Sequence, residues 1–355
     1  MQIIVLGAHR SGTSMVTRLI NMMGAYFGMG DTSIGANAEN PKGFWERGDV
    51  INVNDAILRH YGCQWDKLDN WQFFDTPAKK DLSALEPQMQ AMQNILLEMD
   101  ANRPWVMKDP RMCLTYPFWQ TKLELPVIVC VYRNPQEVAR SLKTRNDISL
   151  THGMAFWEYY AVGVVNAMRN TPTIFVSHDA LLAHPFETVQ KLYEDLSKHI
   201  ERGLNMPSEK EVNAFIDPSL YRSRAGTDAL NDITNNFQKQ LIAQMQGLEP
   251  VAKDMQKPSQ IATDAVMLLT QYIKLSEKLE AQNQHASDSE QRATELANQL
   301  ESERKNAGQI KERYEDILKK EREKFNDLQQ STSWKWGNKL VKITKALTFQ
   351  KTNAA

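Results

Sequence analysis

The chain has 355 residues, 42% of them hydrophobic, with 42 basic and 43 acidic side chains. That is more length than one compact domain needs and slightly less apolar content than a globular chain of this size carries. Residues 1–269 hold 26 basic against 30 acidic groups, residues 270–330 hold 11 against 13, and residues 331–355 hold 5 against none, so a mildly acidic front domain argues against a nucleic-acid binder. Cys63, Cys113 and Cys130 show neither CxxC nor zinc spacing and read as reduced packing residues of a cytoplasmic protein. No signal peptide is expected, because a strand pattern begins at residue 2, and no apolar run approaches the roughly 18 residues of a membrane span.

In chain order, residues 3–6 predict a buried strand that leads through a glycine-containing turn into a helix. Asp49 opens a helix over residues 49–61, and Ser83 with Glu86 forms a capping box for a helix reaching residue 99. Residues 105–107 and 127–132 predict further strands; Asn134, Pro135 and Glu137 then open a helix, and residues 173–176 give a fourth strand. This alternation predicts an α/β fold, a P-loop-like parallel sheet with helices on both faces. Residues 185–267 read as helices with loops, FIDPSLYRSR being the most loop-like stretch.

After Pro258 there is no proline, and Gly308 is the only glycine between residues 270 and 330, so a long C-terminal helix follows the sheet. Positions alternately three and four apart include Leu275, Leu279, Leu296, Leu300, Ile310, Tyr314, Ile317 and Leu328, interrupted by Gln282, Ser289, Glu303, Glu321 and Lys324. That seam predicts a coiled coil and a homo-oligomer; a solitary helix held by pairs such as Glu301 with Lys305 is the alternative. The expected organisation is an α/β domain at 1–267, a coiled-coil helix at 268–330 and a basic tail at 331–355.

The turn between the first strand and helix contains Gly7 and Gly12, the arrangement in which backbone N–H groups and a helix N-terminus cradle phosphate. An ATP-binding P-loop places Lys after the second glycine, whereas Thr13 and Ser14 follow Gly12. The turn instead offers Arg10, Ser11, Gly12, Thr13 and Ser14 as donors to one anionic group. Farther on, RNPQEVARS places Arg133 at a strand end and Ser141 eight residues later, a natural pocket for a second dianion.

These two strings resemble the sulfotransferase family, in particular its bacterial carbohydrate branch, over residues 1–225. The resemblance implies sulfuryl transfer from 3′-phosphoadenylyl sulfate (PAPS) as co-substrate, without a metal. It places the 5′-phosphosulfate on Arg10, Ser11, Gly12, Thr13 and Ser14, and the 3′-phosphate on Arg133 and Ser141. Such transfer also needs a base for the acceptor hydroxyl and cations for the leaving phosphate. In NPKGFWERGDV, similar to an NPxGxxE stretch of bacterial members, Glu46 is the candidate base, with Phe44 and Trp45 able to stack on a sugar; a surface pair with Arg47 or Lys42 is the alternative. Lys108 in KDPR is the candidate cation at the leaving oxygen, and Asp109 with Arg111 an orienting pair. His9, His60 and His178 are rival bases, and Arg222 and Arg224 candidates to close over the nucleotide.

The implied acceptor is a hydroxyl of a glycan, such as a cell-surface polysaccharide or its lipid-linked precursor. A P-loop kinase and a non-catalytic nucleotide-binding scaffold with a coiled coil are the alternatives. In the tail, Trp336, Leu340, Ile343 and Leu347 share a stripe flanked by Lys335, Lys339 and Lys342. That pattern suits either an anionic membrane surface, at its cytoplasmic inner face, or the protein's own coiled coil.

Overall fold

The structure is a computed structural model that describes residues 1–28, 35, 43–199, 203–216 and 234–352. Arg222, Arg224 and Lys42 lie outside the described residues. Four parallel strands, β1 (Gln2–Leu6), β2 (Trp105–Lys108), β3 (Pro126–Tyr132) and β4 (Thr173–Ser177), form one sheet in the order β2-β1-β3-β4. Each predicted strand is present. Ile4 stands opposite Met107 on one side and Ile128 on the other.

Strand alternation feeds two separate cores, as the two-residue period requires. Ile3, Val5, Val129 and Val131 point to one face, where α1 (Thr13–Met22), α9 (Pro185–Ser197) and α10 (Glu209–Phe215) supply Leu19, Leu192 and Val212. Ile4, Leu6, Ile128 and Cys130 point to the other, covered by α2 (Gly48–His60), α4 (Glu86–Asp100), α5 (Met112–Gln120), α7 (Leu150–Met168) and α11 (Asn236–Met245). Helices therefore flank both faces. All three cysteines are buried and free, with thiols pushed up by burial, to about 11 for Cys63 and about 12 for Cys113.

The chain leaves β1 for β2 on one side and later enters β3 on the other, so the strand order reverses beside β1. In open parallel sheets the crevice at the carboxyl ends of such strands is where ligands bind. The turn after β1 and the start of α6 (Pro135–Asn146) after β3 both open into it.

One local expectation fails. Ser83 does not cap a helix: it lies inside a short helix, α3 (Lys79–Ala84), and α4 starts after Leu85 with no side-chain cap bond. Leu85 is buried in the core and Pro87 tolerates the first turn, where its missing N–H costs nothing, so the corner is set by burial and not by a cap. Asp49 lies in the first turn of α2, two residues past the Arg47 cap position. Side-chain capping boxes occur instead at Ser208 with Glu211 and at Asn235 with Gln238.

The short α8 (His178–Ala183) follows β4, and α12 (Gln260–Gln330) is a single helix of 71 residues. Contacts divide the chain into Met1–Lys274 and Leu275–Ala355. The first turns of α12 belong to the first unit, where Ala262, Val266 and Leu269 join the core. In the second unit α12 continues to Gln330, Ser331 interrupts it, and α13 (Thr332–Thr352) follows. No helix among the described residues is long and apolar enough to cross a membrane.

Candidate active site

The turn after β1 is shaped by close approach. A Cβ on Gly7 would lie 2.7 Å from the Val131 carbonyl and 2.9 Å from Thr13 Cγ2, so only glycine lets the turn press against β3. Gly12 has φ 89° and abuts the His178 ring, where a Cβ would come within 2.6 Å of Cδ2. Arg10 also adopts a left-handed conformation, φ 67°. The chain then enters α1 with no acidic residue in its first turn, leaving an N-terminus suited to an anion.

The residues expected at the two phosphates meet at this point. Arg10 Nε donates to Ser141 Oγ at 2.9 Å, and Arg133 Nη1 donates to the Arg10 carbonyl at 2.9 Å. Arg133 Nε is in turn held by Glu137 Oε2 at 2.9 Å, in the first turn of α6. The Asn134 side chain caps that helix by accepting from Gln136 N, as predicted. Arg10 thus reaches across to the residues expected on the other phosphate, joining both strand ends into one cationic pocket.

Lys108, at the end of β2, is 1% exposed and donates three hydrogen bonds: to Ser14 Oγ at 3.0 Å, the Phe44 carbonyl at 2.7 Å and Glu46 Oε1 at 2.5 Å. It connects the phosphate turn to the loop before α2. Glu46, 13% exposed, is therefore partnered by Lys108, whereas Arg47 is occupied by Asp49 and Glu98 at 2.7 and 2.6 Å. Trp45, at φ 51°, packs its ring 5.2 Å from Phe27 and 4.7 Å beneath the Arg18 guanidinium. Its ring thus makes contacts within the protein and is partly buried.

Asp109 and Arg111 form the expected ion pair, 3.0 Å apart, and Arg111 Nε also lies 2.6 Å from Asp55 Oδ1 without hydrogen-bond alignment. Asp109 is fully buried and both oxygens are engaged: Oδ1 by Arg111 and Oδ2 by Asn54 Nδ2 at 2.8 Å. The Asn54 side-chain Oδ1 accepts from Thr115 Oγ1 and Trp119 Nε1. Asp109 is thus a strut, not a base. Asn54→Ala would strip partners from three buried groups and is expected to destabilise the fold by about 3 kcal/mol in urea unfolding; a loss under about 1 kcal/mol would show that water replaces the amide.

His9 Nε2 lies 3.2 Å from Tyr160 OH, whose hydrogen goes to the Trp65 carbonyl at 2.9 Å. That direction makes His9 the donor and leaves Nδ1 as its acceptor atom. Burial, then the charges of Arg111, Lys108, Arg145 and Arg10, hold His9 well below the ordinary imidazole value. His178 is also lowered, chiefly by burial, with Asp179 opposing and Arg133 reinforcing. His60 sits apart, 3.5 Å from Asp81. Glu137, His178 and Asp179 bring ligand atoms within 4.8 Å of one another, the residues best placed to hold a metal among those described, although Glu137 already serves Arg133.

Because both rings near the phosphate turn are kept neutral when folded, the unfolded chain binds more protons below about pH 6.5. Stability is therefore expected to fall from there toward the lower folded values, by up to about 1.4 kcal/mol per pH unit for each ring. Urea unfolding between pH 7 and 5 reads this slope; His9→Asn should make it shallower, and an unchanged slope would contradict it.

Residues 2–200 match the sequence profile of the sulfotransferase family. The chain belongs to that family. The chemistry of the family is sulfuryl transfer, and the pocket just described lies within the matched residues. No curated protein sequence matches the chain. Among solved structures, it is similar to the sulfotransferase domain from the Synechococcus PCC 7002 olefin synthase, at 11% identity over 76% of this chain and 94% of that one, TM-score 0.35. It is also similar to the sulfotransferase domain from the curacin biosynthetic pathway, at 12% identity over 76% and 96%, TM-score 0.33. Likenesses at these scores add nothing to the argument.

Three residues of this sulfotransferase escaped the sequence reading. From sequence Glu137 reads only as a helix opener, although its i,i+4 spacing from Arg133 is a usable signal. Asn54 could have been found as the polar residue in the buried stripe Val50, Val53, Ile57 of α2. Tyr160 gave no local signal, lying 151 positions from His9.

Proposed function

We propose that the chain transfers a sulfuryl group from PAPS to a glycan hydroxyl. The observation that carries this is the Arg10–Ser141–Arg133 network, which gathers two sets of anion donors at neighbouring strand ends. Two phosphate-bearing ends of one nucleotide fit such a cluster, because its donors are arginines, hydroxyls and a helix N-terminus. PAPS, when bound, supplies an activated sulfuryl group on a leaving phosphate.

Glu46 is the base in this reading. Its Oε1 is fixed by Lys108, and its second oxygen, with no hydrogen bond to any described residue, takes the acceptor proton. As Glu46 becomes neutral, the Lys108 charge is released from it toward the Ser14 side, where the leaving phosphate gathers charge. Arg10 is the second cation at that group. Thr13 stands where an ATP site needs lysine, which weighs against the kinase reading. The acceptor is tested by incubating the protein with PAPS carrying labelled sulfur and cell-envelope extract. Label in a periodate-sensitive polysaccharide supports the reading, and protease-sensitive or purely lipid label refutes the glycan.

The helical unit fits a dimer with a membrane-facing tail. Leu275, Leu279, Leu296, Leu300, Ile310, Tyr314 and Ile317 are each 52–68% exposed along α12, apolar surface that a second copy would cover. On α13, Trp336, Leu340 and Ile343 are exposed and Lys339 lies 5.8 Å over the Trp336 ring, a pairing of apolar stripe and cations suited to anionic lipid at the cytoplasmic face. Light scattering is expected to give a dimer for the full chain and a monomer for Leu296→Glu with Leu300→Glu. Anionic liposomes should float the full chain but not one ending at Gln330. A full chain that scatters as a monomer, or equal flotation of both chains, would count against these parts.

A further inference from the structure

Glu46 sits in a segment whose conformation the backbone alone does not favour. Trp45, the residue before it, has φ 51°, a left-handed conformation uncommon for any residue with a Cβ and rarer still for a bulky one. Such strain persists only where the surroundings over-determine it, and it clusters at functional sites. The residues on both sides of Trp45 reach one atom: Lys108 Nζ donates to the Phe44 carbonyl at 2.7 Å and to Glu46 Oε1 at 2.5 Å. An extended residue 45 would lengthen the span between these two acceptors, and the turn at Trp45 folds them onto the same ammonium.

What holds the turn is α1. The Trp45 ring lies 4.7 Å beneath the Arg18 guanidinium and 5.2 Å from the ring of Phe27, which is buried in the core on that side of the sheet. Arg18 is itself steadied by Asn21, whose Oδ1 accepts from Nη1 at 2.6 Å. Ser14 stands four residues before Arg18, on the same face of α1, and its Oγ accepts from Lys108 at 3.0 Å. One helix face therefore carries a hydroxyl on Lys108 and a cation on Trp45, and the helix begins in the phosphate turn. Beyond Glu46, Arg47 is 2% exposed and fixed to Asp49 and Glu98, so Glu46 lies between two anchored residues.

We propose that Arg18 and Trp45 form a clamp that positions Glu46 for proton abstraction, bracing it against the helix that starts at the donor turn. The proposal rests on the reading of Glu46 as the base and is independent of the acceptor's identity. Neither clamp residue touches the reacting atoms. Both are positioning residues: with the phosphate turn and the clamp on one helix, the distance from donor to base is set by α1 and not by the loop. Misplacing a catalytic group by about 1 Å costs about 100-fold, and a cation over an aromatic face is worth about fivefold in an equilibrium.

The test uses the full chain with PAPS carrying labelled sulfur and cell-envelope extract, read as single-turnover transfer at saturating PAPS. Trp45→Ala should slow transfer by about 10- to 100-fold and Arg18→Gln by about fivefold, with affinity for adenosine 3′,5′-bisphosphate within about twofold in both. Arg18→Lys keeps the cation and should restore the rate. In the Glu46→Gln protein, Trp45→Ala should slow transfer by less than about a further twofold, because the group it aims no longer takes a proton. A readout without turnover is amide hydrogen exchange over residues 43–47, which should quicken about fivefold in Arg18→Gln and return in Arg18→Lys. Should Trp45→Ala fail to bind the bisphosphate, Arg18→Gln, at a half-buried position, carries the same comparison. Full multiplication of the two losses in the double variant, or natural exchange at residues 43–47 in Arg18→Gln, overturns the clamp. If Glu46→Gln is slow while Trp45→Ala transfers at the natural rate, the clamp alone fails; if Glu46→Gln transfers at the natural rate, the base reading fails and the clamp with it.

Discussion

Glu46→Gln is expected to slow sulfuryl transfer by about 100-fold or more while nucleotide affinity stays within about twofold, the split produced by losing a general base. The amide keeps the shape and can still accept from Lys108, but it cannot take the acceptor proton. Lys108→Ala removes a different contribution: it deletes the cation bonded to Ser14 and releases the loop held through Phe44 and Glu46. Loss of one such electrostatic donor costs about 100- to 1000-fold in kcat. Single-turnover rates at saturating PAPS check both. Wild-type turnover by Glu46→Gln would move the base to His9, whose Nδ1 is the acceptor atom and whose ring is held neutral.

The second large effect concerns the nucleotide. The protein is expected to bind adenosine 3′,5′-bisphosphate much more tightly than 5′-AMP, because the proposed function assigns a second phosphate to Arg133 and Ser141. Arg133→Ala should cost the bisphosphate at least about 2 kcal/mol, or roughly 30-fold in Kd, and leave 5′-AMP little changed. Glu137→Gln keeps the arginine charge and should retain most of the preference, which separates loss of a phosphate ligand from loss of local structure. Equal affinities for the two nucleotides by calorimetry in the natural chain would remove the assignment.

What the sequence made legible follows from range. The four strands, the glycine turn and the Arg133 to Ser141 string were readable because their signals, alternation, strand-end cations and helix starts, lie within about ten residues. Their meeting was not. The Lys108 bonds to Ser14 and Glu46 join residues 94 and 62 positions apart, and a single sequence gives no sign of such pairings. Glu46 was offered a neighbour in Arg47, yet the sheet supplied Lys108, since Arg47 points to Glu98 on α4. Ser83 misled for a related reason: its spacing to Glu86 satisfied a local rule, but burial of Leu85 decided the corner. The polar network at Asn54 was hidden in the same way, as an amide in an apolar stripe acquires its purpose only when Asp109, Thr115 and Trp119 arrive from elsewhere.

The central claim, that this pocket serves a sulfuryl donor and not a nucleoside triphosphate, is tested most directly by presenting the protein with two labelled donors side by side. With a hydroxyl acceptor pool from cell envelope, label should pass from the sulfur of PAPS to the acceptor and not from the γ-phosphate of ATP. Phosphate transfer from ATP, with none from PAPS, would contradict it.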